Sequence, residues 1–271
     1  VKGKGIFMKL GFIGCGNMAA AMIGGIIDNG ICGAEDIIAS DVFEPTRKNA
    51  EEQLKIRISA DNKEVTANAD ILFLAVKPQY YEAVIGEIRD VVKDNQIIVT
   101  IAPGKTLSWL SETFNKPLKI VRCMPNTPAL VGEGITGVCH NDRVTKDELE
   151  LVCMVLRGFG KAEVLSENLM DVVVAVSGSS PAYVFMFIEA MADAAVADGM
   201  PRAQAYRFAA QAVYGSAKMV LETGKHPGEL KDMVCSPGGT TIEAVRVLEK
   251  NGLRSTVIEA MKACTKKAKG L

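Results

Sequence analysis

Two short stretches of the 271-residue chain carry residue types suited to holding anions. The first is "VCSPGGTTIEAVRVLEKNG", Val234 to Gly252, where Ser236, Gly238, Gly239, Thr240 and Thr241 stand just ahead of an amphipathic helical pattern. Glycine removes the Cβ that would block access to the backbone, and the free N–H groups of a helix's first turn stabilise negative charge. The stretch therefore reads as a seat for a small anion, with a turn and its N-cap as the plainer alternative. The second is "KLGFIGCGNMAAAMIGG", in which Gly14-x-Gly16-x-x-Ala19 follows a strand-like run and opens a helical one. There Gly14 permits a tight turn, Gly16 lets a pyrophosphate reach the backbone, and Ala19 allows close packing of helix on sheet.

Such residues need a frame. From Met8 to about Leu165, apolar runs at Leu10–Ile13, Ile37–Ala39, Ile71–Val76, Ile97–Ile101 and Ile120–Met124 alternate with helical patterns such as Asn17 to Asp28 and Tyr80 to Arg89. A strand near Thr136–His140, a helix from Thr145 to Phe159 and a strand at Ala162–Leu165 follow. The alternation predicts β-α-β units and a parallel sheet. After Ser166 it stops, and long helical patterns run from Ser180, as N-cap with Pro181 at the first helical position, to Gly199, and from Pro201 to Thr223. The expected fold is α/β: a Rossmann-type dinucleotide-binding domain over residues 8–165, then an all-α dimerisation domain over residues 166–271. The helix after Ser180 is apolar almost all round, more than a small domain can bury alone, which predicts packing against a second subunit. Residues Val1 to Phe7 read as an appendage ahead of Met8.

Ligands of open α/β sheets bind beyond the carboxyl ends of the strands. The loops expected there are Gly14, Cys15, Gly16, Asn17 and Met18; Ser40 and Asp41; Asn62; Ala75, Val76, Lys77 and Pro78; Ala102, Pro103 and Gly104; and Asn126, with Thr127 beside it. Asp41 stands where an acid would bind the adenosine ribose of NAD, and reads equally as the cap of the next turn. Arg47 and Lys48 follow and suit the extra phosphate of NADP, so the two dinucleotides are not distinguished. Lys77 reads as a phosphate neighbour or a strand-end residue rather than a catalyst, because Pro78 fixes the backbone there.

With 31 Lys plus Arg against 32 Asp plus Glu, the formal net charge of −1 supplies no electrostatic reason for a nucleic-acid or acidic-membrane partner. Seven scattered cysteines without C-x-x-C spacing predict reduced thiols, no metal site and a cytoplasmic setting. No apolar run is expected to reach membrane-spanning length. His140 and His226 read as surface or capping residues, and neither is placed as a general base.

Several stretches together, "GFIGCGNMA", "AVKPQ", "VRCMPNTPALVGEG", "SGSSPAYVF", "PRAQAYRFAAQ" and "HPGELKDMVCSPGGTTIEAVRVLE", resemble the pyrroline-5-carboxylate reductase family over nearly the whole chain from Met8. The resemblance implies reduction of a cyclic imine acid to L-proline, the last step of proline biosynthesis, with NADPH or NADH. It also implies helical domains interleaved between two subunits, with dimers often assembled into larger rings such as a decamer. By the same resemblance Ser236, Gly238, Gly239, Thr240 and Thr241 hold the substrate carboxylate, and Thr241 stands near the imine nitrogen. Thr240 departs from members that carry Ala; its hydroxyl adds a contact or caps the helix.

Two rival readings differ in the residues they require. A β-hydroxyacid dehydrogenase opens with a similar glycine stretch but needs a catalytic lysine in its second domain, and none lies between Ser177 and Gly199. A non-catalytic nucleotide-binding regulator has no use for an intact "SPGGTT" loop.

Overall fold

The computed structural model describes residues 8–270, so the expected appendage, Val1 to Phe7, lies outside the described residues. Eight strands, β1 (Leu10–Ile13), β2 (Ile37–Ser40), β3 (Arg57–Ser59), β4 (Ile71–Leu74), β5 (Ile97–Thr100), β6 (Lys119–Met124), β7 (Gly134–His140) and β8 (Gly160–Val164), form one sheet. Its order is β3-β2-β1-β4-β5-β6-β7-β8. β1 to β6 pair in parallel. The sheet is not wholly parallel, however: β7 runs antiparallel to β6, and β8 lies parallel to β7. Between β6 and β7 the chain has only a short 3₁₀ turn, Thr127–Val131, and a parallel crossover needs a dozen residues or more. β3 has no apolar run to announce it, since two of its three residues are Arg57 and Ser59, as befits an edge strand.

The helices of this part are α1 (Asn17–Asp28), α2 (Glu44–Leu54), α3 (Asn62–Asn68), α4 (Tyr81–Ile88), α5 (Leu107–Phe114), α6 (Lys146–Leu156) and α7 (Met170–Val173). Strand side chains alternate between the two faces. Leu10, Phe12, Ile71 and Phe73 join Met22, Ile23 and Ile26 of α1 and Val152 and Leu156 of α6. On the other face Leu72 and Leu74 join Val65 of α3, Tyr81 and Ile85 of α4 and Leu110 of α5. Cover on both faces is why these strands read as unbroken apolar runs. Phe12 and Phe73 are register partners and stack with ring centroids 4.5 Å apart. α6 starts where Thr145 and Glu148 form a capping box.

The chain packs as two compact units, one extending through Gly178 and taking in the chain from Thr265 onward, the other Ser179–Cys264. β-α alternation ends with β8, yet the first unit continues past Ser166 because Met170 is fully buried with Met124 and Cys139. The second unit carries α8 (Ser180–Ala197), α9 (Arg202–Thr223), α10 (Pro227–Met233), α11 (Thr240–Lys250) and the start of α12 (Leu253–Ala268). The N-cap of α8 is Ser179 rather than Ser180, and Pro181 takes the second helical position. A π-helical turn, Val174–Gly178, runs straight into the helix, so no side chain is needed to cap it. Only Ala192 of α8 is buried, while Phe185 and Met186 are 60% and 68% exposed in the single chain. Helical turns from Glu167 to Ala197 add up to a stretch long and apolar enough, by length and composition, to cross a membrane. This corrects the expectation that no run reaches that length, because the turns before Ser180 extend the apolar pattern.

Candidate active site

Strand order reverses direction between β1 and β4, which opens a crevice at their carboxyl ends. β1 delivers Gly14, Cys15 and Gly16 there. Gly14 has φ +101°, and a Cβ on it would lie 2.8 Å from the carbonyl carbon and oxygen of Ala75, so only glycine fits. Its N–H donates to the carbonyl of Ser40 at 2.7 Å. Gly16 is the N-cap of α1, without a side-chain cap, and a Cβ there would meet nothing within 4 Å. The protein's own packing does not require that glycine. What it does is keep the backbone open above the first-turn N–H groups of Asn17 and Met18, a donor set that suits a pyrophosphate.

Asp41 directly follows β2. Its Oδ2 accepts the N–H of Cys15 at 2.9 Å and its Oδ1 accepts that of Phe43 at 2.9 Å, so Asp41 caps the turn after β2 and is fastened to the glycine turn. Arg47 donates to the Asp41 carbonyl at 2.6 Å, while Lys48 pairs with Glu44 at 2.8 Å in the open. The buried Ser40 hydroxyl donates to Oδ1 of Asn62 at 2.7 Å, and Nδ2 of Asn62 donates to Glu87 at 2.8 Å. Ser40 thus orients Asn62, the first residue of α3.

The Ala75–Pro78 loop follows β4, and its Lys77 is exposed. The N–H of Ala75 donates to Ile13 at 2.8 Å, which joins this loop to β1. Ala102, Pro103 and Gly104 follow β5, with Gly104 at φ +74° and Ala102 buried. Beneath both loops the Tyr81 hydroxyl donates to the Leu74 carbonyl at 2.6 Å and lies 2.8 Å from the Thr100 hydroxyl. Asn126, two residues past β6, is 7% exposed, its amide donating to Ser177 at 3.1 Å and its oxygen accepting from Ile135 at 2.9 Å. That side chain holds the loop; Thr127 beside it is exposed.

In the second unit the N–H of Gly239 donates to the Ser236 carbonyl at 3.0 Å, closing a turn in which Gly238 has φ +67°. Gly239 is the N-cap of α11 with no side-chain cap, so Thr240 is not the capping residue. A Cβ on Gly239 would fall 2.4 Å from Ser236 Oγ, so the serine hydroxyl stands against this turn only because position 239 is bare. Ser236, Gly238, Gly239, Thr240 and Thr241 therefore converge on one uncapped helix start. α11 ends at Lys250, with Gly252 at φ +73° just beyond.

Burial, assisted by the Asp41 carboxylate, pushes the Cys15 thiol up to about 12, which keeps it neutral and non-nucleophilic in ordinary buffers. The seven cysteines are free thiols. His226 caps α10 by accepting the N–H of Gly228 at 3.0 Å, and Nδ1 of His140 lies 2.9 Å from the Asn141 carbonyl. Among the described residues no group of three or more His, Cys, Asp or Glu side chains could hold a metal ion.

Sequence reasoning did not find three supports of this site. Tyr81 and Thr100 are one. Another is the buried Arg122, whose guanidinium donates to Glu167 at 3.0 Å while Glu167 also accepts the N–H of Leu107 at 2.8 Å. The third is the bond from Cys15 to Asp41. A charged residue inside the apolar run "KIVRCM" was the one visible signal, pointing to a buried ion pair at Arg122.

A doubly wound sheet with a glycine turn, an uncapped helix start and a β2 acid at its switch point defines a dinucleotide-dependent oxidoreductase of the Rossmann type. Residues 9–104 match a family model described as NADP oxidoreductase coenzyme F420-dependent, and residues 167–271 match one described as pyrroline-5-carboxylate reductase dimerisation. The chain is 53% identical to pyrroline-5-carboxylate reductase of Escherichia coli (strain K12), over 97% of this chain and 98% of the relative. A solved pyrroline-5-carboxylate reductase from Coxiella burnetii is 34% identical with a TM-score of 0.91, covering 98% of both chains. The Plasmodium falciparum pyrroline carboxylate reductase solved with NADP bound is 32% identical with a TM-score of 0.88, covering 97% of both. The chain belongs to the pyrroline-5-carboxylate reductase family.

Proposed function

We propose that the protein reduces 1-pyrroline-5-carboxylate to L-proline with NADPH or NADH, the last step of proline biosynthesis. The observation that carries this reading is full-length similarity at 53% identity to a reductase of that name, with the "SPGGTT" turn folded as an uncapped helix start. When bound, the reduced nicotinamide supplies a hydride to the carbon of the ring C=N bond, which becomes C5 of L-proline, and the nitrogen keeps the proton of a protonated imine or takes one from water. The loops after β1, β2, β4 and β5 hold the dinucleotide, through Gly14, Cys15, Gly16, Asn17 and Met18, Ser40 and Asp41, Ala75 to Pro78, and Ala102 to Gly104. Asn62 and Asn126 complete that set.

Ser236, Gly238, Gly239 and Thr240 take the substrate carboxylate at the start of α11, where first-turn N–H groups and the helix dipole favour an anion. Anchoring the ring by its carboxylate leaves the imine carbon in a set orientation, and orientation is the larger part of what this chain contributes. Thr241 donates to or accepts from the imine nitrogen as a positioning group, since a threonine hydroxyl is too weak an acid to be the proton source. The apolar face of α8 and its neighbours is covered by a second subunit in an intertwined dimer, and dimers assemble further, up to a decamer. The setting is the cytoplasm, and the Glu167–Ala197 stretch serves subunit contact rather than a bilayer.

The test is steady-state oxidation of NADPH and NADH, in parallel, with 1-pyrroline-5-carboxylate. Turnover with either supports the reading. Its absence with both, from folded protein that binds dinucleotide, would favour a nucleotide-binding regulator.

A further inference from the structure

We infer that Asp41 makes this chain prefer NADH over NADPH, an inference that rests on the dinucleotide reading of the β1–β4 crevice. Asp41 is half-buried at the carboxyl end of β2, the position from which an acid reaches the adenosine ribose in this fold. Its carboxylate is not free to turn away from an incoming group. Oδ2 is held by the Cys15 N–H in the glycine turn and Oδ1 by the Phe43 N–H, both at 2.9 Å. Each oxygen keeps a further lone pair, and two such acceptors in fixed positions suit the paired hydroxyls of an unmodified ribose. A 2′-phosphate brings negative charge to a carboxylate that cannot withdraw, and like charges at this range repel strongly in a half-buried site.

The two cations that follow Asp41 in sequence are already engaged. Arg47 is tied to the Asp41 carbonyl at 2.6 Å, so it moves with the acid it would have to neutralise. It keeps other N–H donors, which is why the expectation is a preference and not exclusion. Lys48 pairs with Glu44, and Glu44 adds a second carboxylate in the first turn of α2. The NADP named with the Plasmodium structure is a property of a protein 32% identical to this one and does not fix the preference here.

The experiment is fluorescence titration of the full chain with NADH and with NADPH, without substrate, alongside Asp41→Ser and Asp41→Asn. Asn keeps an acceptor for the Cys15 N–H while removing the charge, which separates the charge from a collapse of the glycine turn. NADH should bind wild type at least about tenfold more tightly than NADPH, and both variants should shrink the ratio to about threefold or less by gaining NADPH affinity. Adding Arg47→Ala to Asp41→Ser should remove that gain. Wild type that binds NADPH as tightly as NADH, or a ratio unchanged in Asp41→Asn, overturns the inference and leaves the reductase reading standing. Failure of both dinucleotides to bind overturns the inference and the cofactor reading together. The predicted ratio without turnover of 1-pyrroline-5-carboxylate supports it while removing the substrate reading alone.

Discussion

The Tyr81 hydroxyl donates to the carbonyl of Leu74 and stands 2.8 Å from the hydroxyl of Thr100, so one buried side chain on α4 fastens the ends of β4 and β5. Thr100 in turn accepts the N–H of Ala102 at 3.3 Å. The polar chain lies at the start of two of the loops proposed to hold the dinucleotide, and Tyr81 is fully buried. Tyr81→Phe keeps the ring's packing and leaves the Leu74 carbonyl without this donor. It should cost about 1–2 kcal/mol in urea denaturation and weaken NADH binding several-fold. Unchanged affinity in a destabilised variant would show that Tyr81 supports the sheet without setting the loops.

At the start of α11 the two glycines and Thr241 separate into different effects. Gly238→Ala places a Cβ at φ +67°, a strain of about 1 kcal/mol. Gly239→Ala brings a Cβ to 2.4 Å from Ser236 Oγ and into the anion seat, and should raise KM for 1-pyrroline-5-carboxylate while dinucleotide affinity stays at the wild-type value. Thr241→Ala should lower kcat about tenfold, as befits one lost hydrogen bond to the reacting imine, with an unchanged denaturation midpoint. A kcat equal to wild type would remove Thr241 from the mechanism.

Five buried or half-buried thiols, Cys15, Cys32, Cys123, Cys139 and Cys153, are held above their ordinary value and bear on stability at alkaline pH. Burial is the main cause in each: it pushes Cys15 and Cys139 up to about 12 and Cys32 up to about 11, from an ordinary 9.0. A raised value means the folded chain keeps these protons while the unfolded chain sheds them. Stability is therefore full below the unfolded value and falls as pH rises through the window toward the folded ones. Urea midpoints should be level from about pH 7 to 8.5 and decline from about pH 9 upward, with a shallower decline in Cys15→Ala. A midpoint that rises above pH 9 would contradict the assignment.

The uncovered face of α8 and α9 gives the prediction on assembly. Phe185, Met186 and Phe208 are 60%, 68% and 68% exposed in the single chain, more apolar surface than a soluble monomer leaves open. Light scattering behind size exclusion should report a dimer or a larger species. Phe185→Glu combined with Met186→Glu should shift it toward monomer and lower its melting temperature. A wild-type monomer at micromolar concentration would overturn the intertwined-dimer reading.

Periodicity and glycine placement alone determined most of the frame. Apolar runs at Leu10, Ile71 and Ile97 are strands because a sheet covered on both faces needs no alternation, and Gly14-x-Gly16 marks the turn because no other residue tolerates φ +101° against Ala75. The "SPGGTT" loop was legible for the same reason: its chemistry lies in backbone N–H groups that glycine and the helix start expose. Tertiary structure decided what local pattern does not encode. β7 reverses because the link from β6 is too short to cross over, and β3 is a strand because β2 offers it an edge. Tyr81 meets Thr100, and Asp41 meets Cys15, only when strands far apart in sequence come into register. Whether an acid binds a ribose, caps a turn or does both depends on which N–H groups the fold brings to its two oxygens, and those belong to Cys15 and Phe43.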